Sequence, residues 1–138
     1  MVNEATLIFE TEPPIPFTCA DGAGIEKGAI LKMTNPMTAV LADGDGDIVA
    51  GIAAEEKIAN DGKTKISVYR AGIFKGFAGT GGVTIGLAID TDVGTSDSNE
   101  LANAPVTTGN FVGIAFETAT SAESFLLELR PHHQASNS

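Results

Sequence analysis

Four sets of residues have the types that could do chemistry. Asp43, Asp45 and Asp47 alternate as the first ligands of a calcium loop do. An EF-hand loop also needs Gly at its sixth position for a sharp turn and a bidentate acid at its twelfth to close the shell. Those positions hold Ile48 and Ala54, and the flanking runs have strand rather than helix character, so the spacing predicts a solvated turn. Cys19 with His132 and His133 offers a thiol and two imidazoles. A nucleophilic cysteine needs a positioned base and a group that orients it, and nothing fixes histidines in a polar segment behind Pro131. Adjacent strand residues also project to opposite faces, which spoils His132-His133 as a metal pair. Cys19 therefore reads as a buried, inert thiol. Gly22-Ala23-Gly24 and Gly79-Thr80-Gly81-Gly82 lack the Lys-Ser/Thr ending and following helix of a phosphate loop. Glu55-Glu56 has no opposing acid or base and reads as a solvated pair. The expected inventory is no catalytic residues, no cofactor and no metal, in a chain that is not an enzyme.

Composition points the same way. The 138 residues suit one domain with a core that needs no disulfide or metal staple. Cys19 is the single cysteine, so no intramolecular disulfide forms. Net charge is −10 with only 8 basic residues, which repels a nucleic-acid backbone and favours solubility or a basic partner. No apolar run is long enough for a signal peptide or for the ~20 residues that cross a bilayer. The expectation is synthesis in the cytoplasm, with neither nucleic acid nor membrane as partner.

The elements that must position any site are short strands. There is no Trp and one Tyr, but Gly reaches 16. Apolar runs at Phe17–Ala20, Gly28–Thr34, Thr38–Ala42, Asp47–Ala53, Lys65–Tyr69, Ala71–Ala78, Val83–Ile89, Phe111–Glu117 and Phe125–Arg130 are cut by turn residues. A further short extended stretch is flanked by Leu101 and Val106. Lys65–Tyr69 alternates with Ile66 and Val68 on one face. Asn35-Pro36 marks a turn, and Asp43-Gly44-Asp45-Gly46 is the strongest hairpin signal in the chain. Ala54–Ala59 has the composition of one helical turn. Asp90–Asn99 reads as a polar loop, and Thr108-Gly109-Asn110 as a turn. Nine or ten punctuated strands predict an all-β fold, a small β-barrel or β-sandwich of β-tulip-like or Src-homology-3-like type. The expected organisation is an extended N-terminal arm over residues 1–16, a barrel domain over 17–130 and a flexible polar tail over 131–138.

The arm reads either as a frayed terminus or as a partner-binding segment, and its apolar residues are what a solvated tail rarely needs. Leu7, Ile8 and Phe9 are three consecutive large hydrophobes ahead of Pro13, Pro14, Ile15 and Pro16. The prolines remove amide donors and favour an extended chain, which argues against a central strand there. An apolar segment on a stiff lead suits strand addition to an exposed sheet edge, so Leu7, Ile8, Phe9, Pro13, Pro14 and Ile15 are the candidate contact residues.

The body of the chain resembles a known family. Ile15-Pro16-Phe17-Thr18-Cys19-Ala20-Asp21-Gly22 is followed by Ile25-Glu26-Lys27-Gly28-Ala29-Ile30-Leu31-Lys32-Met33 and the Asn35-Pro36 turn. Gly51–Lys57, Val68–Phe74 and Gly113-Ile114-Ala115 continue the likeness, which spans roughly Ile15 to Leu129. The pattern is similar to the capsid decoration, or cement, proteins of tailed phages, including lambda-like head decoration proteins. The resemblance implies a structural virion protein on the outer capsid surface. It would stabilise the expanded shell by bridging neighbouring major capsid proteins, as a homotrimer at local threefold axes. The alternative is a head-fibre base or a receptor- or glycan-binding adhesin on the virion.

Overall fold

Runs of Val, Ile and Phe too short for helices, each cut by Gly, Asn or Pro, have one way to satisfy their backbone: pairing with one another. The computed structural model describes residues 3–44, 47–92, 99–104 and 110–133. Its strands are, in chain order, β1 (Thr6–Phe9), β2 (Ile15–Thr18), β3 (Ile30–Asn35), β4 (Thr38–Leu41), β5 (Val49–Ala53) and β6 (Lys65–Tyr69). They continue with β7 (Gly72–Phe77), β8 (Ala88–Thr91), β9 (Leu101–Asn103), β10 (Asn110–Ala115) and β11 (Ser124–His133). There is no helix among the described residues. Strands β2-β4-β3-β5-β6 close into a barrel, and β1-β7-β11-β10-β8-β9 form a six-stranded sheet. The fold is all-β, as the punctuated strands predict.

Two cores follow. Phe17, Cys19, Leu31, Ala39, Ala50, Ala53, Ile66 and Val68 fill the barrel, where alanines keep the bore narrow. Ile30, Val49 and Ile52 turn the other way and pack on Phe74, Val112, Leu127 and Leu129 of the sheet. Strand β5 is therefore buried on both faces, which is why its sequence reads as an unbroken apolar run. Gly51 lets it serve both cores: its φ is +149°, and a Cβ there would collide with the Tyr69 carbonyl. Tyr69 packs edge-on against Phe74, with ring centroids 5.6 Å apart.

The structure corrects several expectations. The Asp43–Gly46 stretch does not close a hairpin, because β4 and β5 both pair with β3, which lies between them. The connection has to step over β3; Asp45 and Gly46 lie outside the described residues. Ala54–Ala59 is not helical: Lys57 bridges Ile25 through backbone bonds in both directions. Val83–Ile89 is not one strand either, since Val83 pairs with Ala119 and a turn intervenes before β8. Pro16 sits inside β2, but β2 meets β4 only at Thr18, so Pro16 lies where only β6 is alongside. Pro131 sits inside β11, at the register shift opposite Val112 and beyond the end of the β7 ladder. Strand β11 thus continues to His133, and residues 134–138 lie outside the described ones, as do Val106 and most of the 90–99 loop.

One buried amide ties the N-terminal segment to both layers. Asn99 Oδ1 accepts from Ile30 N at 2.8 Å, while Nδ2 donates to Asn3 O at 2.9 Å and Gly28 O at 3.2 Å. Its φ of +55° suits Asn. Asn99→Ala leaves a buried donor unsatisfied, so a loss of ~1–3 kcal/mol is expected, read as a lower urea midpoint at unchanged slope.

Candidate docking surface

Among the described residues, the groups with reactive residue types are engaged in structural contacts; Asp45 and the side chains of His132 and His133 lie outside the described residues. Asp43 pairs with Lys32 Nζ at 2.6 Å, and this contact raises the lysine's pKa. Asp47 Oδ2 accepts from the Asp43 and Gly44 amides at 3.0 Å each. The Asp47 amide donates to Thr91 Oγ1, which donates to Gly44 O at 2.8 Å. The described acids of this loop thus spend their oxygens on an ion pair and on turn amides. Among the described residues no three His, Cys, Asp or Glu converge as metal ligands do. Glu55 turns in to accept from Ser67 N at 3.0 Å, while Glu56 is exposed.

Cys19 lies in the barrel core, and burial pushes its thiol pKa up. A thiol reagent is expected to leave the native protein unmodified and to react fully in denaturant.

A charged cluster unannounced by the sequence pins the loops at one end of the barrel. Lys57 is buried, and its ammonium donates to Asp21 O, Ile58 O and Asp61 Oδ1 at 2.9, 2.7 and 2.8 Å, with Asp21 Oδ1 at 3.2 Å. Burial acts to lower the Lys57 pKa, but Asp61 and Asp21 outweigh it and the net shift is upward. Asp61 is held below the usual carboxylate range by Lys57 and the Lys63 amide. Glu55 is lowered by Ser67, and Glu123 by the Thr120 amide and hydroxyl. Carboxyls lowered in the folded state add stability above their unfolded pKa and lose it as pH falls through the folded one. The raised lysine adds stability that is lost only as pH rises through its folded pKa. The melting temperature is therefore expected to be level from about pH 5 to about pH 8 and to fall on either side, the alkaline fall starting where the Cys19 thiol ionises in the unfolded chain but stays protonated in the core. Asp61→Asn should shrink the acid limb.

The N-terminal segment is seated on the sheet. Ala5 N donates to Gly28 O at 2.9 Å, β1 pairs antiparallel with β7, and Tyr69 Oη donates to Glu10 Oε1 at 3.2 Å. A hydrogen bond from Glu26 holds Glu4 below its ordinary range, and the same contact raises Glu26. A register shift between Leu7 and Phe9 bulges the strand. Leu7 turns inward onto the core, while Ile8 and Phe9 stay 42% and 67% exposed. Of the other candidates, Ile15 and Pro13 are exposed and Pro14 is half-buried. The structure thus divides the six: Leu7 anchors, while Ile8, Phe9, Pro13 and Ile15 face solvent.

The sheet's outer face adds residues that the sequence reading missed. Register pairs run Phe9–Ile73, Ile73–Glu128, Glu128–Ile114 and Ile114–Ala88, one row across five strands. Phe116 N donates to Leu126 O in the neighbouring row. Ile114 and Phe116 are exposed, as are Ile85 and Leu87 nearby, and a depression of about 330 Å³ opens between Ala88, Phe111, Ile114 and Arg130. The signal was present in Phe111–Glu117, which is apolar at both strand parities although only one face is covered by the barrel.

Comparison with known proteins fits this picture of exposed apolar surface. The fold resembles a crystal structure of the head fiber gp8.5 N base in bacteriophage phi29, with a TM-score of 0.55 at 13% identity, covering 88% of this chain and 98% of that one. No curated protein matches the sequence. The sequence pattern of the phage cement proteins matches residues 9–130, nearly the whole body from the end of β1 through most of β11. The chain belongs to the phage cement protein family, whose members are structural proteins of the virion.

Proposed function

We propose that this protein binds the outside of an expanded phage capsid and stabilises it by bridging neighbouring major capsid proteins, without catalysing a reaction. Membership of the cement family carries the reading, and the exposed apolar residues of β1 and the sheet's outer face support it. A protein that binds only the assembled shell shifts its equilibrium by mass action, and many copies act on one particle. Ile8, Phe9, Pro13 and Ile15 are the proposed contact residues, held in place by Leu7 and Pro14. Three copies would meet at a local threefold axis through the outer sheet face. That face carries Lys75, Glu128 and Arg130, a more balanced charge than the −10 of the whole chain, which favours association there. Synthesis in the host cytoplasm precedes assembly onto the virion.

A second reading is a head-fibre base or a receptor- or glycan-binding adhesin; the fold shared with the phi29 head fiber base favours the former. Heating expanded heads that lack the protein, with and without saturating purified chain, separates the two. Cementing predicts rupture at a clearly higher temperature. Full occupancy with unchanged rupture would leave the fibre-base reading and remove the bridging one.

A further inference from the structure

The six-stranded sheet guards one of its edges and leaves the other open over Thr6–Phe9, the backbone contact with Gly28 falling on Ala5, just before β1. At β9, Gly79 N donates to Leu101 O at 2.7 Å and Thr84 N to Asn103 Oδ1 at 2.9 Å, so the 79–84 segment covers that edge. At the opposite edge, β1 pairs with β7 alone among the described strands. Thr6–Phe9 has no Lys or Pro of the kind that blunts an exposed edge. Its bulge limits the ladder to a few bonds, but it leaves Ile8 and Phe9 exposed side by side, where an unbulged strand would turn one inward.

Charge decides what such an edge can take. Residues 1–26 contain no Lys or Arg, and β1 is flanked by Glu4 on one side and Glu10 and Glu12 on the other. A second copy pairing antiparallel through β1 would set Glu4 against Glu10 and Glu12. Pairing parallel would align each acid with itself. Both place like charges across the ladder, which is destabilising.

We propose that β1 stays seated on β7 and that its open edge captures an extended capsid-protein strand with an apolar centre and Lys- or Arg-rich flanks. This rests on the capsid-binding reading and specifies how the N-terminal segment serves it. The captured strand extends the sheet beyond β1, with Ile8 and Phe9 packing on its apolar residues and the three glutamates facing its basic flanks. The segment then does not have to leave Asn99, Gly28 and Tyr69 in order to bind. Because the family match begins at residue 9, Thr6, Leu7 and Ile8 of this edge lie outside the family pattern, while Phe9, Glu10 and Glu12 lie within it.

The test uses the full chain and expanded heads, with binding read by co-sedimentation. Thr6 and Lys75 are directly opposed, so Thr6→Cys/Lys75→Cys can lock β1 onto β7, and Cys19 is buried out of reach. The oxidised protein should bind within about threefold of its reduced form, because nothing has to detach. Glu10→Lys/Glu12→Lys should weaken binding more than about tenfold and flatten its salt dependence. The amides of residues 6–9 that face away from β7 should gain hydrogen-exchange protection only on the shell. Binding lost on oxidation and restored on reduction would show that the segment must detach, and would overturn the proposal. So would tight binding by the charge-reversed protein, or edge amides already protected in the free protein by a second copy. If the unmodified chain itself fails to co-sediment, the capsid reading fails first, whatever the edge does.

Discussion

Ile8→Ser/Phe9→Ser is expected to bind expanded heads roughly 30- to 1000-fold more weakly than the native chain while melting at the same temperature. Complete burial of a large apolar side chain contributes ~1.5–3 kcal/mol, and these two are partly covered already, so about 2–4 kcal/mol remains for the pair to gain on docking. The fold does not depend on them, because both project into solvent. Leu7→Ser separates the roles: Leu7 packs on the core beneath the sheet, so that change should lower the melting point and weaken binding only through unseating β1. A titration on heads paired with melting curves checks both variants. Tight binding by the double variant would move the contact to the outer face around Ile114 and Phe116.

Gly113→Val should prevent folding or destabilise by at least about 3 kcal/mol. Gly113 lies in β10 where the ladder with β11 shifts register. A Cβ there would overlap the Glu128 carbonyl oxygen and reach its carbon at 2.9 Å and Arg130 N at 3.0 Å. All three are backbone atoms of the neighbouring strand, so relief requires parting β10 from β11, the centre of the sheet. Gly81→Ala is the control, since its added methyl meets nothing within 4 Å and should change stability by less than about 0.5 kcal/mol. Urea midpoints decide; equal midpoints for the two variants would contradict the described packing.

Much of the fold was legible because strand formation here is local. Lys65–Tyr69 alternates in sequence as it does in the barrel, and Asn35-Pro36 leads the β3–β4 turn, with Met37 taking a φ of +49°. What was not legible is pairing. Asp43-Gly44-Asp45-Gly46 has hairpin chemistry, yet β3 takes the place between the flanking strands, and turn residues cannot announce a third strand from earlier in the chain. Residues 54–59 have helical composition, but the Lys57 ammonium is worth more among three carbonyl and carboxylate partners than solvated on a helical turn. The candidate site was half visible. The apolar cluster at 7–9 stands out, but its partner β7 lies more than sixty residues downstream, so neither the seating of β1 nor the inward turn of Leu7 has a local signature. The outer face was hidden for a related reason: which parity of Phe111–Glu117 is covered depends on where the barrel lies.

The central claim is that this chain works by binding an expanded capsid. Co-sedimentation of the purified full chain with expanded empty heads, against unexpanded heads and heads of an unrelated shell, tests it most directly. The account predicts saturable binding to the expanded shell at a fixed number of copies per particle, and little to the other two. Equal or absent sedimentation with all three would contradict it.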